Sequence, residues 1–307
     1  MTTAEQRLLA EVADIHEVPI GAYNIRANGK LSSRNTTANI DIVNKEDPST
    51  PGIDIHVAPG TKNESMHIPV IISESGLTDL VYNDFYIGEN ADVTIVAGCG
   101  IHNCGDQESG HDGIHTFHLS KGARVKYIEK HVGTGDGNGK NIMNPTTVVY
   151  LDENAYLEME TSQIKGIDST NRITKGYLAD NATLIVRESL MTHGEQVAIT
   201  DFNVELNGEN SSANIVSRSV AKEHSFQKFL SVINGNNKCS GHSECDAIIM
   251  DDAKVTAIPE LTAANIDASL IHEAAIGKIA GEQLIKLMTL GLTEEEAEAA
   301  IVDGFLR

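Results

Sequence analysis

The sequence contains no tryptophan, and aromatic residues make up only 4% of its 307 residues. Large aromatic side chains contribute much of the buried area of an ordinary core, so a chain with few of them builds its core from valine, isoleucine, leucine and alanine. Apolar residues still account for 40% of the chain, which excludes an intrinsically disordered protein. This composition favours regular stacked strands over a large α/β enzyme core.

Basic residues are also scarce. The chain has 23 Lys and Arg against 44 Asp and Glu, which gives a net charge of −21. Because binding to phosphate groups needs basic side chains, we expect neither nucleic acid nor an anionic membrane as a partner. The simplest interpretation of the charge is a contribution to solubility.

Signals for targeting and for common enzyme chemistry are missing as well. There is no run of 18 apolar residues and no signal-peptide pattern at the start, so we expect no membrane span and a cytoplasmic location. No Walker, nucleophile-elbow or Rossmann motif is present. In the cytoplasm the four cysteines, Cys99, Cys104, Cys239 and Cys245, are expected to be thiols or ligands and not disulfides.

The periodicity of the apolar residues divides the chain into three segments. Residues 1–35 predict an N-terminal helical segment, because Thr2 and Thr3 can cap a helix with Glu5 or Gln6 and apolar residues follow at helical spacing. From residue 36 to residue 270 the pattern has a period of two and predicts short strands. Residues 271–307 predict a C-terminal helical segment, with helical spacing from about residue 274 and a capping box at Thr293 and Glu296.

One sequence motif recurs within the strand segment. It consists of an aliphatic residue, a polar turn, an alanine and then alternating apolar residues. A repeat of this length is typical of a solenoid or a propeller, and the shortage of aromatic residues favours a parallel β-helix, although a β-sandwich with accidental alanine turns is the alternative. Ser212 fits as one further unit. The repeated alanines, taken as corner residues, are Ala91, Ala123, Ala155, Ala182 and Ala253.

Residues 98–118 contain six soft or borderline metal ligands, which is a dense group. A metal site is one interpretation, but no C-x₂-C pair is present, and His115 and His118 point to opposite faces of a strand. The other interpretation is a loop whose glycines expose Cys99, so that its thiolate can accept sulfur. The six residues are Cys99, His102, Cys104, His111, His115 and His118.

Two further groups carry weaker signals. Cys239 and Cys245, with His242 between them, form a C-x₅-C pattern that by spacing alone indicates two ordinary thiols. His272 and Glu273 are adjacent, and neighbours on a strand face opposite ways, so they are not expected to act on one atom.

Three stretches of the sequence are distinctive: "HEAAIGKIAGEQLIKLMTLGLTEEEAEAAIVDGF" at 272–305, "CDAIIMDDAKVTAIPEL" at 245–261 and "IGENADVTIVAGC" at 87–99. They resemble the SufB/SufD family of iron–sulfur cluster assembly proteins, in particular its compact archaeal and anaerobe-type members. The resemblance implies a right-handed parallel β-helix with helical ends. It also implies a scaffold that pairs with itself or with a second SufB/SufD paralogue, binds a SufC-type ABC ATPase through its C-terminal segment and builds a nascent cluster at the paired interface.

The resemblance also implies roles for particular residues. Cys99 resembles the sulfur acceptor of SufB, and Cys245 resembles a cluster ligand at the paired interface. Glu273 resembles the glutamate of the SufB "HEA" motif, while His272 stands where SufD has its interface histidine. A chain that carries both types of residue favours a homodimer, with a transient [4Fe-4S] cluster as its product.

Cys104, Cys239 and His102 do not match the family pattern and are secondary candidates for the cluster site. The resemblance implies that the chain is not itself an enzyme and uses ATP only through its partner. It identifies neither the sulfur donor nor a flavin site. The alternatives are a SufD-like structural partner without a cluster and, from another class, a carbohydrate-active β-helix enzyme.

Overall fold

A computed structural model describes residues 2–17 and 19–306. It confirms the predicted all-β-dominated fold, a parallel β-helix of about eight coils with a helix before it and helices after it. The helices are α1 (Thr3–Ala13), α2 (Gly281–Thr289) and α3 (Glu294–Leu306).

The strands of the β-helix are β1 (Ala22–Ala27), β2 (Lys30–Asn35), β3 (Ile40–Asn44), β4 (Gly52–Val57), β5 (Lys62–Ile72), β6 (Thr78–Ile87), β7 (Asp92–His102), β8 (Ser109–Leu119), β9 (Arg124–Thr134), β10 (Asn141–Met143), β11 (Thr146–Leu151), β12 (Tyr156–Lys165), β13 (Ser169–Leu178), β14 (Thr183–Thr192), β15 (Val197–Leu206), β16 (Ser212–Ala221), β17 (Phe226–Gly235), β18 (Ser240–Ile249), β19 (Lys254–Ala263) and β20 (Ser269–Gly277).

The strands form two long sheets that face each other across the core. Sheet A has the order β2-β1-β5-β7-β9-β12-β14-β16-β18-β20, and sheet B has the order β19-β17-β15-β13-β10-β8-β6-β4-β3, with β11 pairing to β8 and β13. The coils stack in register, so Tyr127 pairs with Ile95 and with Met159, each 32 residues away (127 minus 95 and 159 minus 127). Successive side chains on each strand therefore alternate between the core and the outer surface.

Small residues line one corner of the β-helix, as the repeat predicts. Backbone hydrogen bonds link the corner of each coil to the next, for example from the amide of Thr183 to the carbonyl of Ala155. Two predicted positions do not lie in this column of corner residues. Ala253 precedes β19 and lies at a corner leading into sheet B, and the corner residue of the later unit is Ser211, not Ser212.

The N-terminal segment is only partly helical. Thr2 caps α1 as predicted, because its hydroxyl accepts from the amide of Glu5 and the Glu5 carboxylate accepts from the amide of Thr2. Residues 22–35, however, form the antiparallel hairpin β1–β2 and not a helix. The turn between these strands is Asn28-Gly29, and both residues have positive φ angles, which is the geometry that an Asn-Gly hairpin turn requires.

The C-terminal segment also begins as a strand. The expected helix from residue 274 starts instead at Gly281, because β20 stays paired with β18 as far as Gly277. The predicted capping box at Thr293 and Glu296 is confirmed. Helix α3 packs on sheet A through Val302 and Leu306. Within residues 2–17 and 19–306, every helix is too short or too polar to cross a membrane.

The last coil is open. No residue of β19 or β20 is fully buried, and both strands have one neighbour in their sheets and one free edge. Ile258, Ile266 and Ile271 are all exposed there.

Candidate functional site

Cys99 faces the interior of the β-helix and is 2% exposed. The glycines beside it do not expose it. Gly98 and Gly100 lie on the opposite face of β7 and allow α1 to pack closely, since a Cβ atom on Gly98 would lie 2.6 Å from the carbonyl oxygen of Val12. The expectation that the glycines make Cys99 accessible is therefore wrong. Burial, followed by the charges of Asp79 and Glu129, raises the pKa of the Cys99 thiol well above its usual value.

Several polar side chains surround Cys99 within the core. His131 is its register partner on β9, and His111, His115 and Glu129 line the same small cavity, which has a volume of about 10 Å³. A cavity of this size holds about one water molecule. The surroundings of Cys99 are thus polar but closed to bulk solvent.

A hydrogen-bond network fixes the imidazole of His115. The Tyr127 hydroxyl donates to Glu129 Oε1 at 2.8 Å, so it accepts from His115 Nδ1 at 2.9 Å. The other ring nitrogen, Nε2, then accepts from the side-chain amide of Asn83 at 3.3 Å. Burial lowers the pKa of His115, which agrees with a neutral ring.

A buried ion network continues from Glu129. Arg172 donates from Nη1 to Glu129 Oε2 at 2.6 Å, and its Nε lies 3.6 Å from Glu188 Oε1. Arg172 Nη2 also lies 3.2 Å from His131 Nδ1. Burial would raise the pKa of Glu129, but Arg172 and His131 together outweigh this effect and hold that pKa well below its usual value. One buried cation is thus shared between two carboxylates.

The polar side chains form a ladder that reaches Cys245. Glu129, Thr161, Glu188, Ser217 and Cys245 occupy one register position on five successive strands of sheet A. Neighbouring strands are about 4.8 Å apart, so the ladder is about 20 Å long. All five side chains face inward and are buried. We call this set, with Arg172 and His131, the polar ladder.

Cys245 lies at the far end of the polar ladder and is 1% exposed. Its neighbour Ser217 donates to Glu188 Oε2 at 2.7 Å, and Thr200 donates to Glu188 Oε1 at 3.0 Å. Burial, with the charges of Glu188 and Asp246, raises the pKa of Cys245 to about 12. In this conformation Cys245 is a protonated thiol.

The structure separates Cys245 from Glu273 and does not stack them as neighbours. The register partner of Cys245 on β20 is Ala274, whereas Glu273 pairs with Glu244 on the outer face. His272 pairs with Ser243 on the inner side, where burial lowers its pKa. The predicted one-coil stacking fails because the coil repeat here is 29 residues (274 minus 245), and a single-residue offset moves a side chain to the other face.

Three side chains on the outer face of sheet A can hold a metal ion. One ligand atom from each of His242, Glu244 and Glu273 lies within 4.8 Å of the others. The side-chain oxygen Oδ1 of Asn214 lies 2.9 Å from His242 Nδ1, which leaves Nε2 to coordinate a metal. Imidazole and carboxylate ligands suit divalent iron. Burial and the neighbouring Asp246 raise the pKa of Glu244.

The remaining candidates lie elsewhere. His102 and Cys104 are next to each other at the outer end of β7, with Cys104 Sγ 3.2 Å from His102 Nε2. Cys239 is a buried corner residue, in the same column as Ala182 and Ser211.

His118 points outward, opposite to His115 as predicted, and stacks between Tyr86 and Tyr150 in a ladder of rings on sheet B. His111 and His115 face the core, while His102 and Cys104 lie at the surface. The six ligand-type residues of the 98–118 stretch therefore do not converge on one point.

Comparison with known proteins agrees with this geometry. Residues 75–305 match the family described as SUF system FeS cluster assembly, SufBD core domain. The chain belongs to the SufBD family. It is 31% identical over 245 residues to an iron–sulfur cluster assembly SufBD family protein of Methanothermobacter thermautotrophicus, and the match covers 77% of this chain and 57% of the relative.

Two other relatives show the range of lengths in the SufBD family. A SufBD family protein of Pyrococcus horikoshii is 27% identical, with 92% of this chain and 86% of the relative covered. Iron–sulfur cluster assembly protein SufB of Bacillus subtilis is 30% identical, with 72% of this chain and 47% of the relative covered. The chain spans about three fifths of the length of the first curated relatives that it matches.

Four buried ionisable residues of this SufBD core were not predicted from the sequence. Glu129, His131 and Glu188 lie on strands whose earlier inward positions are apolar, whereas Arg172 lies between the inward Thr170 and Thr174. A charged residue at a core position of an alternating strand is a signal of a buried functional group. The signal can be recognised only when it is known which residues of each strand face the core.

Proposed function

We propose that this chain is the scaffold subunit on which a nascent iron–sulfur cluster is built, with sulfur received inside the β-helix and iron supplied from outside. The polar ladder between Cys99 and Cys245 supports this function most strongly. A protein that only filled its core would have no reason to bury Glu129, Arg172 and Glu188 in one line, because buried ions are less favourable than apolar side chains of the same volume.

The polar ladder suits the transport of a neutral, protonated sulfur species, because burial, helped by the charges of Glu129 and Glu188, raises the pKa of the thiols at its two ends and so disfavours an anion there. Arg172 and Ser217 provide hydrogen-bond donors along a path that bulk water does not enter. Hydrogen bonds are strong in such surroundings. Cys99 would hold sulfur at one end of the path and Cys245 would receive it at the other end, where thiolate ligation of iron begins.

Iron would enter on the other face of sheet A. Glu273, with His242 and Glu244, offers imidazole and carboxylate ligands beside Cys245 but across the sheet. We propose that Cys245 ligates the nascent cluster and that Glu273 or His272 of a paired chain completes the site. Weak carboxylate or imidazole ligation would allow a [4Fe-4S] product to be released.

The open last coil supports pairing of two copies of the chain. The free edges of β19 and β20 and the exposed side chains of Ile258 and Ile271 are unpartnered in one chain. An exposed apolar edge strand is a surface that proteins normally cover. A homodimer, or a pair with a second SufB/SufD-type chain, would bring two Cys245 residues towards one interface.

Helix α2 supports binding of a SufC-type ATPase, through which ATP would act. None of its residues is buried, and Ile285, Met288 and the following Leu290 are exposed. We expect Ile285→Glu to abolish co-elution with the ATPase, while Lys286→Gln, at a neighbouring exposed position, leaves it unchanged. Equal co-elution of the two variants would contradict docking through α2.

The decisive experiment is anaerobic reconstitution with ferrous iron and inorganic sulfide, followed by the ultraviolet–visible spectrum and by iron and sulfide analysis. We expect Cys245→Ser to lose the cluster and Cys239→Ser, the matched buried cysteine, to keep it. A SufD-like structural partner would retain neither iron nor sulfide in the unmodified chain. If Cys245→Ser keeps the cluster and Cys239→Ser loses it, the assignment of the cluster to Cys245 is wrong.

A further inference from the structure

Cys104 is the cysteine of this chain that solvent reaches, since Cys99, Cys239 and Cys245 are buried. It is not an isolated thiol. His102 Nε2 lies 3.2 Å from its Sγ, and His102 Nδ1 lies 2.9 Å from the hydroxyl oxygen of Thr134 on the next coil. A nucleophile, a base and a group that orients the base are the three parts of an activated nucleophile.

The hydrogen bonds determine which nitrogen of His102 carries the proton. The Thr134 hydroxyl donates to the carbonyl oxygen of Ile101, so its oxygen accepts from the His102 ring at Nδ1. Nε2 is therefore the unprotonated nitrogen, and it faces Cys104 Sγ. In this tautomer His102 can take the thiol proton and leave a thiolate, which is the nucleophilic form of cysteine.

The loop that carries Cys104 is held in place by the loop of the next coil. The side chain of Asn103, which is 2% exposed, donates to the carbonyl oxygens of Gln107 and Gly139. The amide of Gly139 donates to the carbonyl oxygen of Gly105, and the amide of Gly137 to that of Asn103. Cys104 and His102 are therefore positioned before a substrate arrives, as an activated nucleophile requires.

We propose that Cys104, with His102 as its base and Thr134 as the residue that orients the base, is the surface site at which a persulfide donor delivers sulfur to this chain. This inference rests on the proposed scaffold function, which needs sulfur but places Cys99 where a protein-borne donor cannot touch it. Cys104 follows Cys99 by five residues and is the reactive group on the outer side of the same wall.

The transfer step needs no oxidant or reductant. His102 Nε2 takes the proton of Cys104, and the Cys104 thiolate attacks the outer sulfur of the donor persulfide R–S–SH. A bond forms between Cys104 Sγ and that sulfur, while the S–S bond of the donor breaks. The donor leaves as a thiolate and takes the proton from His102, so that Cys104 ends as a persulfide and the donor as a thiol. The sulfane sulfur keeps its oxidation state.

The test measures sulfur uptake by the full chain under anaerobic conditions, with mass spectrometry of the peptides that contain each cysteine. One arm uses free cysteine persulfide, and a second uses a small carrier protein with one surface cysteine loaded as its persulfide. In at least one arm we expect Cys104 to gain one sulfur atom before any other cysteine does. The arm with the faster uptake shows whether the donor is a free persulfide or a protein-bound one. His102→Gln should slow this uptake about 10²-fold, the range of general-base catalysis.

Conservative variants separate chemistry from structure. Thr134→Val should slow uptake at Cys104 because the ring loses its acceptor, while Thr134→Ser should restore the rate. Glu108→Gln, an exposed position on the same loop, should behave as the unmodified chain. Uptake by His102→Gln at the unmodified rate, or labelling of Cys99 in a Cys104→Ser chain as fast as without the substitution, would overturn the proposal.

Reconstitution with inorganic sulfide distinguishes this proposal from the scaffold function, because free sulfide needs no persulfide acceptor. Cys104→Ser should reconstitute fully. An unmodified chain that accepts persulfide at Cys104 but never builds a cluster would refute the scaffold function alone. A chain that builds the cluster but takes no sulfur at Cys104 would refute the entry site alone.

Discussion

Between β9 and β16 the interior of the β-helix has two columns that differ in chemistry although the same strands build both. On β16 the first two inward residues, Ala213 and Ile215, are apolar, and the next two, Ser217 and Ser219, are polar. Strand β9 has the same order, with apolar residues before Glu129 and His131. We call these the apolar column and the polar column.

The difference indicates that, in these coils, stability comes mainly from one column and the proposed chemistry from the other. The apolar column removes aliphatic and aromatic surface from water, which is the main favourable contribution to folding. The polar column contributes less net stability, since buried ion networks roughly balance their desolvation. Its ions are nevertheless essential once present, because removal of one partner leaves the others uncompensated.

The largest effect should come from Arg172→Ala, which leaves Glu129 and Glu188 buried without their shared cation. We expect the free energy of unfolding to fall by about 3–5 kcal/mol, measured by urea denaturation. Arg187→Ala is the control, because Arg187 is a half-exposed arginine that pairs with Glu158 on the outer surface, and should lose less than about 1 kcal/mol. Equal losses would remove the distinction between the buried and the surface ion pairs.

The two columns can be compared directly on β16. Ile215→Ala should destabilise the chain by about 2–5 kcal/mol through lost burial and a new cavity. Ser217→Ala, two residues along the same strand, should destabilise it by about 1–3 kcal/mol, because Glu188 loses one donor. Only Ser217→Ala should reduce cluster formation at Cys245. A loss of cluster in Ile215→Ala at a temperature where the chain stays folded would contradict this division.

Acid should weaken the polar surroundings of Cys99, which include His111. Burial lowers the pKa of His111 from its usual 6.5 to about 4. Below pH 6.5 His111 binds a proton in the unfolded chain but not in the folded chain. The free energy of unfolding therefore falls as the pH drops towards 4. We expect a loss on the order of 1–2 kcal/mol between pH 7 and pH 5, measured by denaturation at each pH. His111→Gln should flatten this dependence, and His16→Gln, at an exposed position, should not.

The smallest effect is expected on the outer surface. Tyr150 stacks between His118 and Tyr177 with ring centroids 5.2 Å apart on both sides. Tyr150→Ala should reduce the free energy of unfolding by about 0.5–1.5 kcal/mol, because an exposed stack loses contact area but leaves no buried group unpaired. A loss greater than that of Ile215→Ala would show that the outer ring ladder, and not the apolar column, holds the coils in register.

Much of the fold could be predicted from the sequence because a repeating pattern carries its own register. The alternation of apolar residues and the small residues at Ala91, Ala123, Ala155 and Ala182 indicated stacked coils before any contact was known. The ends were less predictable. At Asn28-Gly29 a hairpin turn was interpreted only as a helix breaker, and at Ala274 helical spacing was outweighed by pairing with β18.

The site was less predictable than the fold. Cys99 and Cys245 were identified through resemblance, but the face on which each residue lies depends on the register to a single residue. That is why Glu273, expected beside Cys245, lies on the other side of sheet A. The pairing of Cys104 with His102 depends on the turn after β7, and its connection to Thr134 depends on a residue 32 positions away (134 minus 102).

The open last coil has a consequence for the motions of the molecule. Each coil contacts only its neighbours, so the free energy of opening one coil depends on the coils beside it. Amide protons of β19 and β20 should therefore exchange with solvent fastest among the strands, and protection should rise coil by coil towards β9. A second chain seated on the free edges would slow exchange first in β20 and then in β18, so the strand that holds Cys245 would be among the first to register the arrival of a partner.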